Sequence, residues 1–390
     1  MTADVAAAGA ASARDSASGQ SASQPRPSLY FAGLDVLRAV AVASVLYTHY
    51  FAERYWLLGV HWGGLGVQCF FVLSGFLITR IILGEHDRQE FRYGRFLLRR
   101  FARLYPCLLA FLLVALAATP GRDHGHFFWH AAYLSNVLFV LQGNWDGMYS
   151  HLWSLAVEQQ FYLVWPAVIL AVPRRFLPAL LVAVILAAPA FRLIWLAAGM
   201  ADFGVWVLPP AVLDSLGVGG LLAVAMRAGV RTGVIFGVFL ATGLMFWFVP
   251  FSLVLGPVDV WPTAMSFLFG CLVVLALSLG RNERLVASPL VLPLIYVGQI
   301  SYGIYMYHLM VQDLLGPLLQ PRLGVFGALA DRMVWAGVSF VLAALSYHVL
   351  EVPVRSWILR RAGEGLSPAS VQRQRARPSL ELIVARIRGQ

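Results

Sequence analysis

Arg38 and His49 stand eleven positions apart in an otherwise apolar stretch that runs from about Leu34 to Phe51. At about 100° per residue, eleven steps make three full turns plus roughly 20°, so both side chains share one helix face, about 16 Å apart along the axis. A stretch of this length crosses a bilayer. It would align a cation near one membrane surface with an imidazole near the other. Ionisable groups inside a span are costly and mark a functional pathway by default. The structural alternative is that Arg38 snorkels and His49 caps the outer end. Asp35, three residues before Arg38 on the same face, is its simplest partner.

Two further groupings have chemical content. His151, Ser154 and Glu158 fall at i, i+3 and i+7 of another apolar segment and share a face. Ser154 is a nucleophile in principle, although serine more often hydrogen-bonds between helices. Arg88, Arg92, Arg95, Arg99 and Arg103 recur at three- and four-residue steps, with Arg100 beside them. On one helix they form a single stripe. Guanidinium forks in such an array suit phosphates, and they equally suit anionic lipid. Asp214 is an intramembrane acid with no partner visible in the sequence. His124, His126 and His130 cluster without a carboxylate or cysteine at ligand spacing, so no metal is expected.

The elements that must position these groups follow from composition. The chain has 390 residues, of which 59% are hydrophobic and 12% charged, with a mean hydropathy of +0.73. These values exclude an ordinary soluble domain and define an all-α, polytopic integral membrane protein. Every one of the 29 basic residues is arginine, and the net charge of +10 is read by position, as topology, with no nucleic-acid partner expected. Basic blocks at 80 to 103, at Arg174 and Arg175, at Arg227 and Arg231, at Arg281 and Arg284, and from Arg355 onward mark the cytoplasmic side. Between them lie about ten spans, near 34–52, 64–83, 102–119, 153–172, 176–197, 208–226, 233–250, 261–280, 290–316 and 333–354, which leave both termini cytoplasmic. The patch at 127–141, with Phe127, Phe128, Trp129 and Tyr133, reads as an interfacial segment. Residues 1–28 read as a disordered tail without the apolar core of a signal peptide, 29–360 as the membrane domain, and 361–390 as a polar, arginine-rich cytoplasmic tail with a short amphipathic helix near 380–387. Cys69, Cys107 and Cys271 show neither CxxC nor Cys/His spacing, so neither disulfides nor zinc are indicated.

Five segments carry a family resemblance: GVQCFFVLSGFLIT (66–79), FLLRRFARLYP (96–106), HLWSLAVEQQFYLVWP (151–166), ISYGIYMYHL (300–309) and SYHVLEVP (346–353). In this order they resemble membrane-bound acyltransferase family 3, the bacterial O-acyltransferases of surface polysaccharides and related acceptors, over about 30–355. The resemblance implies a multi-pass protein of the bacterial cytoplasmic membrane. It implies transfer of an acyl group, acetyl foremost, from acyl-CoA to a hydroxyl of an extracytoplasmic or lipid-linked sugar. Arg38 with His49, and Arg100 with Arg103, match family motifs, whereas Gln68 stands where the family usually has an acid.

On this reading Arg99, Arg100 and Arg103 hold the phosphates of the donor. His49 takes the proton of the attacking hydroxyl or is itself acylated. Glu158 orients His49 or pairs with an arginine, and Arg38 completes the catalytic set. His151 and Ser154, with Tyr305 and His308 on another shared face, would line the acceptor site, although tyrosines of that span also suit interfacial anchoring. The alternative from another class is a secondary transporter or flippase in which Arg38, Glu158 and His49 relay protons. Against it stands the lack of an evident repeat between the two halves.

Overall fold

A computed structural model of the chain describes residues 31–51, 56–57, 60–120, 125–200, 203–248, 260–318 and 324–363. The expected N-terminal tail and the amphipathic helix near 380–387 lie outside these residues. Among them the chain is helical, apart from one short antiparallel pairing of Trp56 with His61 and Leu57 with Val60.

The long helices are α1 (Ala32–Leu46), α2 (Trp62–Asp87), α3 (Tyr93–Ala118), α4 (Leu152–Ala171), α5 (Leu177–Ala197), α6 (Leu213–Arg227), α7 (Thr232–Phe248), α8 (Trp261–Leu279), α9 (Leu292–Leu315) and α10 (Gly324–Leu345). A short helix, α11 (Val352–Arg361), follows α10. Each expected span overlaps one of the first ten, and the one expected at 333–354 begins inside α10 and ends beyond it. Seven helical stretches among the described residues are long and apolar enough to cross a membrane; α1, α7 and α9 fall outside that set. Between α3 and α4 the helices Phe127–Ala131 and Ser135–Gln142 are five and eight residues long, far below the ~20 residues a crossing requires.

Two helices end in a wide turn. α1 passes into a π-helical turn over Tyr47–Phe51, where the Tyr47 amide is shared between the carbonyls of Ala43 and Ser44. α10 passes into another over Ser346–Glu351. Such turns add residues per turn and re-aim side chains, and they often occur at functional sites. The regular eleven-residue spacing from Arg38 therefore holds as far as Leu46, and His49 sits in the under-rotated segment beyond it.

The expected arginine stripe is interrupted. α2 stops in a Schellman arrangement, in which Gln89 adopts φ 57°, its N–H donates to the His86 carbonyl at 2.9 Å, and the Glu90 N–H donates to the Glu85 carbonyl at 2.9 Å. Arg88 lies in that turn and pairs with Glu90; Arg92 only caps α3. Arg95, Arg99 and Arg103 alone share a helix face.

Because lipid is as apolar as the core, helices in a bundle associate through close packing and polar contacts. Both are evident. A Cβ on Gly75 would strike the Leu216 carbonyl oxygen and one on Gly219 would strike that of Val72, so α2 and α6 cross with their backbones in contact. Likewise a Cβ on Gly298 would strike the carbonyl oxygen of Asp35, where α9 crosses α1. Gly298→Ala is expected to force this crossing apart and cost about 1–3 kcal/mol, the range for overpacking. Gly237→Ala on α7, which meets open space, should leave the thermal midpoint in detergent unchanged or slightly raised. Equal midpoints for the two variants would refute the tight crossing.

Candidate active site

The bundle holds a cavity of about 100 Å³. At the end bearing the arginine-rich turns its walls include Arg38, Arg100 and Arg103; further in they include Ser74, Glu158, Tyr162 and Ser301; Ser154 and Tyr305 close it. Five helices contribute, because α1, α2, α3, α4 and α9 each turn a polar position inward.

Arg38 Nη1 donates to Asp35 at 2.6 Å, so the expected one-turn pair forms. Arg99 is bound bidentately by Glu85, at 2.7 and 2.8 Å, at the end of α2, and is not among the residues lining the cavity. Arg100 and Arg103 do line it. The Arg100 guanidinium lies 5.9 Å from the Tyr162 ring centre and 5.5 Å from that of Phe96, and its buried Nε makes no hydrogen bond. A cation in this setting is held by ring faces with donor capacity to spare.

Glu158 accepts hydrogen bonds from the Ser74 hydroxyl and, at 2.5 Å, from the Tyr162 hydroxyl one turn along α4. It thus belongs to the arginine-lined half of the site. His49 lies at the other end, where its ring centre is 4.9 Å from that of His308.

His308 is fully buried, and His151 is 5.2 Å from it, centre to centre. The expected faces on α4 and α9 therefore both point inward, and they meet at Tyr305. The Tyr305 hydroxyl is 2.7 Å from Ser154 Oγ and donates to the His151 carbonyl at 3.2 Å. Its ring stands 5.4 Å from His151 and 5.5 Å from His308. The Ser154–Tyr305 pair is consequently a partition, with the cavity on one side and three imidazoles on the other.

Some partners escaped sequence reasoning. Tyr50, beside His49 in the π turn, donates to the His308 carbonyl at 2.6 Å and meets Ser339 Oγ at 2.8 Å. Tyr162 stands four residues after Glu158, a spacing that announces a shared face. Asp214 is paired after all: Arg192 of α5 reaches its Oδ2 at 3.0 and 3.1 Å, and Thr263 of α8 donates to the same oxygen at 2.7 Å. An arginine within the apolar run of α5 is itself a signal that an acid waits on a neighbouring helix.

Outside the spans, Asp146 accepts from the His126 and His130 rings at 3.1 and 3.2 Å. The hydrogen bond from His130 is the chief cause that holds its carboxyl below the usual carboxylate range, with burial opposing and His126 assisting. His124 lies outside the described residues.

A bundle of apolar helices around partly buried arginines and a carboxylate, with buried imidazoles beyond them, fits a membrane-embedded group-transfer or transport protein. The acyltransferase domain family, Acyl_transf_3, matches over residues 31–350, and the chain belongs to this family. Among its relatives, the O-acetyltransferase OatA of Staphylococcus aureus (strain NCTC 8325 / PS 47) is 27% identical over 359 residues, covering 84% of this chain and 57% of the relative. The peptidoglycan O-acetyltransferase OatA of Listeria monocytogenes is 25% identical over 389 residues, covering 84% and 56%. The chain thus spans little more than half the length of these relatives. No solved structure matches it.

Proposed function

We propose that this chain transfers an acyl group, acetyl foremost, from cytoplasmic acyl-CoA to a hydroxyl of an extracytoplasmic or lipid-linked sugar, from a site inside the bacterial cytoplasmic membrane. The relatives are O-acetyltransferases, one of them of peptidoglycan, which supports a cell-wall glycan as acceptor. All ten long helices cross the membrane in this reading, with both termini and the arginine-rich turns on the cytoplasmic side.

The observation that carries the reading is the cavity itself, with guanidinium groups at one end and, behind the Ser154–Tyr305 partition at the other, the histidines. Arg100 and Arg103, with Arg38 at the same end of the cavity, bind phosphates of the donor, and Arg99 holds the turn of α2 in place through Glu85. Such forks match phosphoryl oxygens two bonds at a time. The acyl arm lies along Ser74, Ser301 and Tyr302 and brings its thioester to Tyr305. From the outer side the acceptor hydroxyl reaches His49, flanked by His151, Ser154, Tyr305 and His308. His49 removes its proton as the oxygen attacks the acyl carbon. Glu158 acts from the donor side, where its charge keeps Arg100 inward.

The test is direct. Labelled acetyl-CoA is enclosed in vesicles bearing the protein, with peptidoglycan glycan strands outside, and ester label on the strands is the expected product. Arg100→Ala with Arg103→Ala should weaken donor binding at least tenfold, since a hydrogen bond to a charged group contributes about 1.5–3 kcal/mol. Donor affinity equal to wild type would return these arginines to lipid binding. Passage of intact substrate without ester would favour transport.

A further inference from the structure

His308 has a tautomer dictated by its surroundings. Its Nδ1 lies 2.6 Å from the Tyr305 carbonyl oxygen, a contact that requires Nδ1 to carry the proton. Nε2 therefore presents a lone pair. That nitrogen is buried and has no hydrogen-bond partner, which is costly in a closed interior unless function uses it. The residue is also held from behind, because Tyr50 donates to its carbonyl while Ser339 fixes the Tyr50 hydroxyl. The His49 ring stands 4.9 Å away, at a tilt of 58°. Ring centres at this separation allow a nitrogen–nitrogen hydrogen bond when the two rings meet edge to edge.

We propose that His308 is the positioning partner of the His49 base, an imidazole in the place where other acyl-transfer sites put a carboxylate. It rests on the acyl-transfer reading above. One nitrogen of His49 faces the acceptor and the other, as N–H, donates to His308 Nε2, while His308 Nδ1–H donates to the Tyr305 carbonyl. The acceptor O–H bond breaks and its proton moves to His49. The oxygen–acyl bond forms, the acyl–sulfur bond breaks, and the proton returns to the thiolate to give the free thiol of CoA. During the interval the positive charge on His49 is stabilised by His308 and, through it, by the Tyr305 carbonyl. The titratable groups facing His308 are His49 and Tyr50 from the end of α1, His151 from the start of α4 and Tyr305 of its own helix. Among the described residues no carboxylate is found there.

The arrangement has a consequence that a packing role lacks. Two imidazoles that share a proton titrate as a pair, so removing one changes the titration of the other. In the vesicle assay, His308→Gln should lower kcat at least about a hundredfold, the low end of general acid–base contributions, with KM for acetyl-CoA within about threefold of wild type. It should also move the acid limb of the pH–rate profile to lower pH by about one unit, the size of such coupling. A fall in kcat with the wild-type pH profile would overturn the proposal. Because the variant risks misfolding and the assay depends on the acceptor supplied, a second measurement needs no turnover. In ¹⁵N-histidine spectra of the full chain, His308 should show a protonated Nδ1 and a bare Nε2, and its titration should change in His49→Ala. A protonated Nε2, or independent titration of the two rings, defeats the pairing even if transfer is observed. Absence of transfer by the wild type, with coupled titration intact, would count against the acceptor chemistry alone.

Discussion

His49→Ala eliminates ester formation: transfer falls by about 10²–10⁴, the contribution of a positioned general base, while insertion into the membrane and affinity for acetyl-CoA stay as in wild type. This separation follows from where the residue stands. His49 lies beyond the Ser154–Tyr305 partition, in the imidazole cluster, and the groups that would hold the donor line the cavity on the near side. A trapped burst of label on the protein in wild type, absent from the variant, would show that His49 is acylated; labelled glycan without such a burst is expected of direct attack. Measurement of initial rates and donor binding on the same vesicles decides the matter. An alanine variant that retains full activity removes the base from position 49.

Asp214→Ala destabilises the bundle by about 3–5 kcal/mol, the cost of leaving one member of a buried ion pair without the other. Asp214 and Arg192 are 0% and 5% exposed, and the carboxylate is shared with Thr263, so α5, α6 and α8 lose their common tie. α6 also carries the backbone crossing with α2 at Gly75, one residue from Ser74 in the cavity wall, so activity should decline with stability. The check is thermal unfolding in detergent of Asp214→Ala, Arg192→Ala and the double exchange Asp214→Leu with Arg192→Leu. The double exchange should recover most of the loss, since an apolar pair leaves no stranded charge. If it is no better than the singles, the network contributes more than charge balance.

Hydropathy located the long helices because twenty apolar residues in a row leave a chain few alternatives. The aromatic cluster and the charge topology mark the 127–141 patch as interfacial, and two short helices meet there at Tyr133, whose φ is 57°. Spacing at i, i+3 and i+7 showed that His151, Ser154 and Glu158 face one way, since helix geometry is local. It misjudged the arginine stripe, because periodicity carries no notice of a helix that stops at Asp87, turns at Gln89 and restarts at Tyr93.

The residues by themselves determined that this is a helical membrane protein, which family it belongs to, and which polar side chains must face inward, because the cost of placing such groups in lipid acts on each span separately. The tertiary structure alone decided the pairings: Glu158 with Ser74 and Tyr162, Arg99 with Glu85, Arg192 with Asp214, and His49 with His308. Those choices depend on which helices touch and on a π turn that rotates one side chain. Contacts between helices distant in sequence are set by backbone approach at a few glycines, and that is a property of the whole bundle.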